Sequence, residues 1–279
     1  MTDEWFRGIS STRKVPEIDT TVPHPARIYN YWLGGKDNYA ADREAGDLAV
    51  KAFPDTIASV RANRAFLSRA VRYLAADAGI RQFLDIGTGL PSADNTHEVA
   101  QSVAPECRVV YVDNDPIVLA HARALLTSTT GATAYVDADL RDTAKILEAA
   151  AGTLNFSEPA AVMLIGVLHF ITDVGDPYGI VTTLLDAVVP GSYLVIAHVA
   201  KDIHPEQMAE FQRRMNEQHP NTPGTLRTHG EVSWFFDGTE LLEPGVVQPS
   251  KWRPRSDLEA AAPTALWCGV ARKTASPRP

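Results

Sequence analysis

A glycine turn directly follows a short apolar stretch, Gln82–Ile86. The turn consists of Gly87, Thr88 and Gly89, and glycines at such a position let the backbone bend tightly and approach a ligand. Open α/β sheets bind ligands at the carboxyl ends of their strands, where this turn would lie. A G-x-G pair alone is weak evidence, and Ser92 occupies the third glycine position of the dinucleotide pattern G-x-G-x-x-G.

Three aspartates accompany the ends of three successive predicted strands. Asp85 lies two residues before the first glycine of the turn, Asp113 follows the strand Arg108–Val112, and Asp139 follows the strand Ala134–Val136. We expect their carboxylates to line one rim of a parallel sheet. This rim would repel a pyrophosphate, whereas S-adenosylmethionine (SAM) carries a sulfonium, an ammonium and no phosphate. Coulomb attraction favours the cationic ligand by about 1 kcal/mol or more for each close charge pair.

Each aspartate of this rim has a candidate role. Asp113 can accept hydrogen bonds from both ribose hydroxyls, and Asp139 can accept one from the adenine amino group. Asp85 can orient the glycine turn or face the ammonium. The alternative for each is a turn or helix-capping carboxylate, which is how Asp115 is better explained.

His169 follows the predicted strand Ala161–Ile165, near the expected position of the transferred methyl group. A neutral imidazole there can take a proton from a hydroxyl or amine. A histidine held by backbone groups at a strand end is the alternative. The remaining histidines lack metal-binding spacing and the two cysteines lack ligand partners, so no metal site is predicted.

Polar and aromatic residues surround a Gly-Gly pair near the N-terminus. They are Arg27, Tyr29, Tyr31, Gly35, Lys36, Asp37 and Asn38. We expect this segment to be a lid that excludes water and contacts the acceptor or the cofactor carboxylate. Arg61 and Arg64, one helical turn apart, can bind an anionic group, with a solvated helix face as the alternative for at least one of them. The aromatic run Trp234–Phe236 can line an acceptor pocket, although core packing is the default for such a run.

The elements that must position these residues change in character near residue 80. The segments Ala26–Leu33, Tyr39–Ala52 and Thr56–Asp77 are predicted helices, and no strand is predicted before them or between them. Strands and helices then alternate, which indicates a parallel sheet with helices on both faces. Further predicted helices are Asp115 to about Leu126, Thr143–Ala150, Asp176 to about Val188 and Pro205–Gln218. Two late strands, Glu240–Val247 and Ala265–Arg272, suggest an antiparallel hairpin that completes the sheet.

Composition limits the classes of protein to be considered. The 279 residues include 45% hydrophobic and 22% charged residues, which is ordinary for a globular chain. A formal net charge of −8 argues against a general nucleic-acid or anionic-membrane partner. Two cysteines and the lack of a long apolar run predict a cytoplasmic protein. We predict a flexible leader at 1–22, a helical extension or lid at 23–79 and an α/β domain at 80–279.

Taken together, these motifs resemble those of class I SAM-dependent methyltransferases. The resemblance is carried by residues 83–91, Asn95–Glu98, Val110–Pro116 and Leu164–Phe170. The N-terminal segment His24–Asn38 narrows it to a family long described as a domain of unknown function and classed as SAM methyltransferases. The match extends from residue 24 to about residue 272.

This resemblance implies a Rossmann-like, mostly parallel seven-stranded sheet whose last strand is antiparallel, with SAM as cofactor. The implied cofactor residues are Asp85, Gly87, Thr88, Gly89, Asp113, Asn114, Asp139, Leu140, Gly166 and Val167, with the last stretch running on to His169. One departure from the class pattern is Leu90-Pro91, where a further glycine is common, and it leaves the path of the turn open.

The sequence thus predicts methyl transfer from SAM to a small-molecule acceptor. A nicotinamide-dependent oxidoreductase is a second interpretation, against which Asp85 and the missing third glycine count. A non-catalytic SAM-binding sensor or accessory protein is a third, because the sequence offers no unambiguous catalytic base.

Overall fold

The computed structural model describes residues 19–115, 117–118, 131–218 and 222–275. Within these residues the strands are β1 Gln82–Ile86, β2 Arg108–Asp113, β3 Thr133–Asp137, β4 Ala161–Ile165, β5 Tyr193–Val199, β6 Thr239–Leu241 and β7 Leu266–Lys273. The α-helices are α1 Pro25–Trp32, α2 Ala40–Ala52, α3 Thr56–Ala76, α4 Thr96–Val103, α5 Thr143–Ala150, α6 Pro177–Asp186, α7 Pro205–Gln218, α8 His229–Ser233 and α9 Asp257–Ala260. The predicted helix from Asp115 to about Leu126 falls mostly outside the described residues, as does most of the predicted leader.

The strands form one sheet in the order β3-β2-β1-β4-β5-β7-β6. Strands β1 to β5 run parallel, and β7 runs antiparallel to both of its neighbours. The predicted seven-stranded, mostly parallel sheet with an antiparallel last strand is therefore confirmed. Its parallel strands direct their carboxyl ends toward the same edge, which places the loops after β1, β2, β3 and β4 together.

The late hairpin differs in detail from the prediction. Strand β6 ends at Leu241, and farther along only Val247 forms an isolated bridge, to Cys268. Pro244 cannot donate a ladder hydrogen bond and Gly245 has a φ of +86°. Strand pairing is therefore interrupted between Leu241 and Val247. The connection to β7 also contains the short helix α9, which the sequence did not indicate.

Each face of the sheet is covered by a separate hydrophobic cluster. Leu84 and Ile86 of β1 pack with α5 and α6 on one face. Phe83 packs with α3 and α4 on the other. Because alternate residues of a strand point to opposite faces, Asp85 shares the α3 and α4 face with Phe83.

Helices α1 to α3 precede the sheet and pack against the elements around its ligand-binding edge. Pro25 occupies the first position of α1, where its missing N–H costs nothing, and Gly34 follows the helix with a φ of +80°. Ile28 and Trp32 of α1 pack against α2 and α3. None of the described helices combines the length and the apolarity needed to cross a membrane.

Candidate functional site

A cavity of about 630 Å³ lies at the carboxyl ends of β1, β2, β3 and β4. This volume falls within the range of about 300–1,000 Å³ that is usual for small-molecule sites. The cofactor residues expected from the sequence all contribute to its wall: Asp85, Gly87, Thr88, Gly89, Asp113, Asn114, Asp139, Leu140, Gly166 and Val167. The wall also contains Arg27, Tyr29, Arg64 and His169. The fold therefore gathers residues from four strand ends and two N-terminal helices around one space.

The glycine turn after β1 is tied to the end of β2. The N–H of Gly87 donates to the carbonyl oxygen of Val112 at 2.8 Å, and the N–H of Gly89 donates to Oδ2 of Asp113 at 2.9 Å. Gly87 has a φ of +76°, and a β-carbon there would overlap the Val167 side chain. Leu90, the departure from the class pattern, is buried beyond the turn. The backbone thus follows a path that only glycine at position 87 permits.

We expect Gly87→Ala to lower the free energy of unfolding by about 2 kcal/mol more than Gly89→Ala does. Both substitutions incur the strain of a positive φ, about 1–2 kcal/mol, but only the first forces a methyl group into Val167, because the space beside Gly89 is open. Urea unfolding of the two variants measures the difference. Equal stabilities would show that the Gly87–Val167 contact does not constrain the turn.

Asp85 is a buried carboxylate at the base of the cavity. Its Oδ2 accepts a hydrogen bond of 2.6 Å from the hydroxyl of Thr96, the first residue of α4. Burial raises the pKa of Asp85 to about 6, although the Thr96 hydrogen bond and the Arg64 charge act to lower it. A cation bound beside Asp85 would stabilise the charged form of this group.

Asp113 and Asp139 lie at the neighbouring strand ends, as the sequence indicated. Asp113 accepts from the N–H groups of Gly89 and Asp115, at 2.9 and 3.0 Å, so it organises the backbone of the rim. Burial raises its pKa despite these hydrogen bonds. Asn114 Nδ2 donates to Oδ2 of Asp139 at 3.3 Å, which links the two loops. Each carboxylate keeps lone pairs for a ligand's hydroxyl or amino groups.

The segment before and within α1 covers part of the cavity. His24 contacts Oδ2 of Asp115 through Nδ1 at 3.0 Å, and its N–H donates to Asp42 at 2.8 Å. Arg27 is 3% exposed and donates through Nε to both carboxylate oxygens of Asp42, at 3.0 and 2.8 Å. Its NH2 group donates to the carbonyl oxygen of Val22. Arg27 thus fastens the covering segment, and its guanidinium is already largely engaged.

Two side chains of α3 bring polar atoms without partners to the cavity wall. Asn63 is 3% exposed; its Nδ2 donates to the Tyr29 hydroxyl at 3.1 Å, while its Oδ1 has no hydrogen-bond partner among the described residues. Arg64 donates through NH2 to the carbonyl oxygens of Ala93 and Asp94, while its buried Nε is likewise unpartnered. Because buried polar atoms usually have partners, these two atoms are candidates for contact with a bound ligand.

Five residues expected in the lid do not reach the cavity wall. They are Tyr31, Gly35, Lys36, Asp37 and Asn38. The Tyr31 hydroxyl donates to Asp47 at 2.8 Å, and Lys36 is exposed. Asn38 donates to Oδ1 of Asn30 at 3.0 Å, and a β-carbon at Gly35 would overlap the Asn30 side chain. Asn30 therefore folds this part of the segment upon itself, away from the strand ends.

His169 lies just after β4, in a short 3-10 turn, beside the cavity. Its ring packs against Phe170 with centroids 4.0 Å apart, and its buried Nδ1 has no hydrogen-bond partner among the described residues. Burial, together with the nearby Arg227 charge, lowers the pKa of His169 to about 4. The imidazole is therefore neutral near pH 7, and its Nδ1 is not held by a backbone group of the described residues.

Arg227 organises the loop that carries His169, and sequence reasoning missed it. Its guanidinium contacts Nε2 of His198 at 2.9 Å and donates to the carbonyl oxygens of Leu168 and Ile171, at 3.3 and 3.0 Å. It also pairs with the exposed carboxylate of Asp173 at 2.7 Å. All these partners are distant from Arg227 in the sequence, so no local signal marks the arginine.

The remaining aromatic and basic candidates lie elsewhere. Phe235 and Phe236 belong to the core cluster on the α5 and α6 face, which agrees with their default assignment, and Trp234 is 60% exposed. Arg61 is exposed on α3 and does not line the cavity. Within the described part of the chain, no three His, Cys, Asp or Glu side chains are grouped so as to hold a metal ion.

The polar groups of the wall match the charges of the expected cofactor. Asp85 offers an acceptor for an ammonium, and the unpartnered Nε of Arg64 offers a donor for a carboxylate. Asp113 and the linked Asn114 and Asp139 side chains offer further acceptors at the ends of β2 and β3. An amino acid joined to a nucleoside needs this division of charges, so the donor set fits SAM.

Comparisons with known proteins agree with this geometry. A family model described as S-adenosyl methyltransferase matches residues 11–274. A protein of the DUF574 family from Streptomyces avermitilis has a solved structure with a TM-score of 0.88 and 47% identity, covering 92% of this chain and 100% of that chain. For a candidate methyltransferase from Thermobifida fusca the TM-score is 0.84 and the identity 42%, covering 95% of this chain and 100% of that chain. No curated protein matches the sequence.

Proposed function

Because the chain belongs to the S-adenosyl methyltransferase family, we propose that it transfers the methyl group of SAM to a small molecule bound in the same cavity. The observation that carries this proposal is that one cavity joins a carboxylate-lined rim and a glycine turn to a further space lined by apolar side chains of α7. Family membership favours methyl transfer over the oxidoreductase interpretation. It likewise does not favour a sensor without catalytic activity.

In this proposal the rim residues hold the cofactor by its polar ends. Asp113 would accept from the ribose hydroxyls, and Asn114, Asp139 and Leu140 would hold the adenine. Asp85 faces the ammonium. We assign the carboxylate to Arg64, whose buried Nε has no other partner among the described residues. The backbone of Gly87, Thr88, Gly89, Gly166 and Val167 forms the floor between these ends.

When bound, SAM supplies an activated methyl group, which the acceptor's lone pair takes as the carbon–sulfur bond breaks and leaves its electrons on sulfur. The protein must therefore position the acceptor and exclude water. In this proposal the covering segment excludes water on one side, where Pro23, Pro25 and Ile28 line the cavity. Helix α7 excludes water on another side, with Phe211 and Met215 in the wall. We propose that the helical extension 23–79 acts as the cover of the α/β domain 80–279.

His169 serves in this proposal as a hydrogen-bond acceptor that orients the acceptor group. Its pKa of about 4 makes it a weak base, so the acceptor stays protonated until the methyl group is transferred. A hydroxyl that has received the methyl group is strongly acidic and gives its proton to His169 and then to water, whereas a methylated amine keeps its proton as an ammonium until it is released into water.

We expect the imidazole of His169 to stay neutral from pH 8 down to about pH 5. Its folded pKa lies below the ordinary value of 6.5, so the unfolded chain binds the proton more readily and the group lowers stability as pH falls from about 6.5 toward 4. An NMR titration of the histidine carbons measures this pKa, with His169→Gln used to assign the signal. A midpoint near 6.5 would contradict the assigned environment.

Calorimetry with SAM, S-adenosylhomocysteine and NAD tests the proposed function. We expect both sulfur compounds to bind and NAD not to bind. Incubation with methyl-labelled SAM and a panel of small molecules then tests transfer. Binding of NAD alone would favour the oxidoreductase, and cofactor binding without any transfer of label would favour the sensor.

The acidic net charge and the cavity volume of about 630 Å³ support a small-molecule acceptor rather than a nucleic acid. We also propose a cytoplasmic location, because Cys107 and Cys268 are both buried as free thiols.

A further inference from the structure

The cavity continues past the glycine turn into a part whose wall is apolar. We call this part the acceptor chamber; Phe53, Met208, Phe211, Met215 and Leu226 line it. They come from the end of α2, from α7 and from the segment before α8. Phe53, Met208 and Leu226 form one buried cluster, and Phe211 joins this cluster to the one beneath α1. The chamber is thus a continuous apolar surface.

Three polar side chains of the cavity wall, which flank the chamber residues on α2–α3 and α7, make hydrogen bonds within the protein. Asn216 donates through Nδ2 to the carbonyl oxygen of Gly224 at 3.1 Å and accepts from the N–H of Gly224 at 2.7 Å. Gln212 donates to the same carbonyl oxygen at 3.0 Å, and the Thr56 hydroxyl donates to the carbonyl oxygen of Phe53 at 2.6 Å. These groups have their hydrogen bonds within the protein and hold the wall in place.

Charged groups in the cavity wall lie at the cofactor rim, in the covering segment or at Arg64. Among the described wall residues, the acidic ones are Asp19, Asp85, Asp113, Asp115 and Asp139, and the basic ones are Arg27, Arg64 and Arg141, besides two histidines. Arg64 is bound to the carbonyl oxygens of Ala93 and Asp94, on the α4 side. The described chamber residues therefore offer no counter-ion, and a charge buried there would be strongly unfavourable.

Two unpartnered polar atoms lie at the border between the rim and the chamber. Oδ1 of Asn63 can only accept a hydrogen bond, and Nδ1 of the neutral His169 can accept one in one of its tautomers. Asn63 lies over the end of β4, since a β-carbon at Gly166 would be 3.5 Å from its Nδ2. Both atoms can therefore accept a hydrogen bond from a ligand that lies near the loop after β4.

From these observations, and on the basis of the proposed function, we propose that the methyl acceptor is an uncharged, largely apolar small molecule. It fills the acceptor chamber and donates one hydrogen bond, from the hydroxyl or amine that receives the methyl group, to Asn63 or His169. Met208 and Met215 suit this role because their flexible thioether side chains adapt to an apolar ring.

Helix α7 lines the acceptor chamber with one face, which we call its inner face. On its outer face Arg213 pairs with Glu210 at 2.8 Å and with Glu217 at 2.6 Å, in contact with solvent. Its inner face presents Met208, Phe211 and Met215. A charge added to the inner face should therefore affect the acceptor, whereas one added to the outer face should not.

A matched set of probes tests the proposal in protein saturated with S-adenosylhomocysteine, whose carboxylate would occupy Arg64. Calorimetry compares naphthol with methoxynaphthalene, which lacks the donor, and with naphthoate, which is anionic. We expect naphthol to bind about tenfold or more tightly than either, because one probe leaves the buried acceptors unpaired and the other buries a charge. Naphthoate binding as tightly as naphthol, or no binding of naphthol, would overturn the proposal.

Variants of α7 locate the binding. Met215→Glu should weaken naphthol binding at least tenfold, whereas Ala209→Glu adds the same charge to the exposed face and should leave it within twofold. Both should bind S-adenosylhomocysteine normally, which also shows that they fold. An unchanged affinity of Met215→Glu for naphthol would place the acceptor elsewhere. Wild-type protein that does not bind S-adenosylhomocysteine would instead overturn the proposed function, and this inference with it.

Discussion

Arg227→Met should lower the free energy of unfolding by about 3 kcal/mol and weaken the order of the loop after β4. The guanidinium is 2% exposed and bonds to two carbonyl oxygens and to His198. Methionine fills similar space but leaves these buried acceptors without a donor. Thermal and urea unfolding would measure the loss, and S-adenosylhomocysteine calorimetry would show its effect on the site.

The matched control for this variant is Asp173→Asn. The Asp173 side chain is 78% exposed, and exposed ion pairs contribute between about 0 and 1 kcal/mol. We therefore expect this substitution to cost less than 1 kcal/mol. Equal destabilisation by the two variants would mean that the ion pair, rather than the buried carbonyl and histidine contacts, anchors the loop.

Much of the fold follows from local signals that the sequence displays. The strands β1 and β4 have the predicted bounds because short apolar runs end at glycines there. Asn95 and Glu98 have the spacing of a capping box, and helix α4 begins directly after Asn95, whose N–H donates to Glu98 at 2.8 Å. Signals of this kind depend on residues a few positions apart.

The rim of the site could also be predicted, because strand order alone brings the relevant carboxylates together. Asp85, Asp113 and Asp139 each lie at a strand end, and parallel strands share an edge. The hydrogen-bond partners of each carboxylate within the protein could not be predicted from the sequence. Thr96 and the N–H of Gly89 occupy lone pairs of Asp85 and Asp113, and these contacts depend on the exact turn geometry.

At the N-terminal lid and at Asn63, long-range packing decides which side chains reach the cavity, and the sequence does not reveal it. Tyr31 and Lys36 share a dense motif with Arg27 and Tyr29, yet Asn30 turns the chain so that only the latter two reach the cavity. No sequence pattern marks Asn63, because an asparagine within a helix carries no functional signal. Its significance is visible only once Oδ1 is seen to be buried without a partner.

Asp85→Asn should stabilise the ligand-free protein at pH 7.5 by about 2 kcal/mol while weakening SAM binding about a hundredfold. The folded pKa of about 6 lies above the ordinary value of 3.8, so the folded protein binds the proton more readily. Stability contributed by this group is therefore lost as pH rises from about 4 to about 6, and each pKa unit corresponds to about 1.4 kcal/mol. An amide avoids this cost and still accepts the Thr96 hydrogen bond.

The two effects of Asp85→Asn share one cause, the burial of a carboxylate where a cationic ligand is expected to bind. Hydrogen bonds to charged groups contribute about 1.5–3 kcal/mol, which sets the expected loss of affinity. Urea unfolding at a series of pH values should show a stability difference from wild type that is near zero at pH 4 and largest above pH 6. The buried histidines change the stability of both proteins alike, so they cancel in this difference. Asp137→Asn, at the exposed end of β3, is the control and should change neither quantity. A variant that loses stability at pH 7.5, or that binds SAM as wild type does, would show that Asp85 is a structural residue and that the ammonium is held elsewhere.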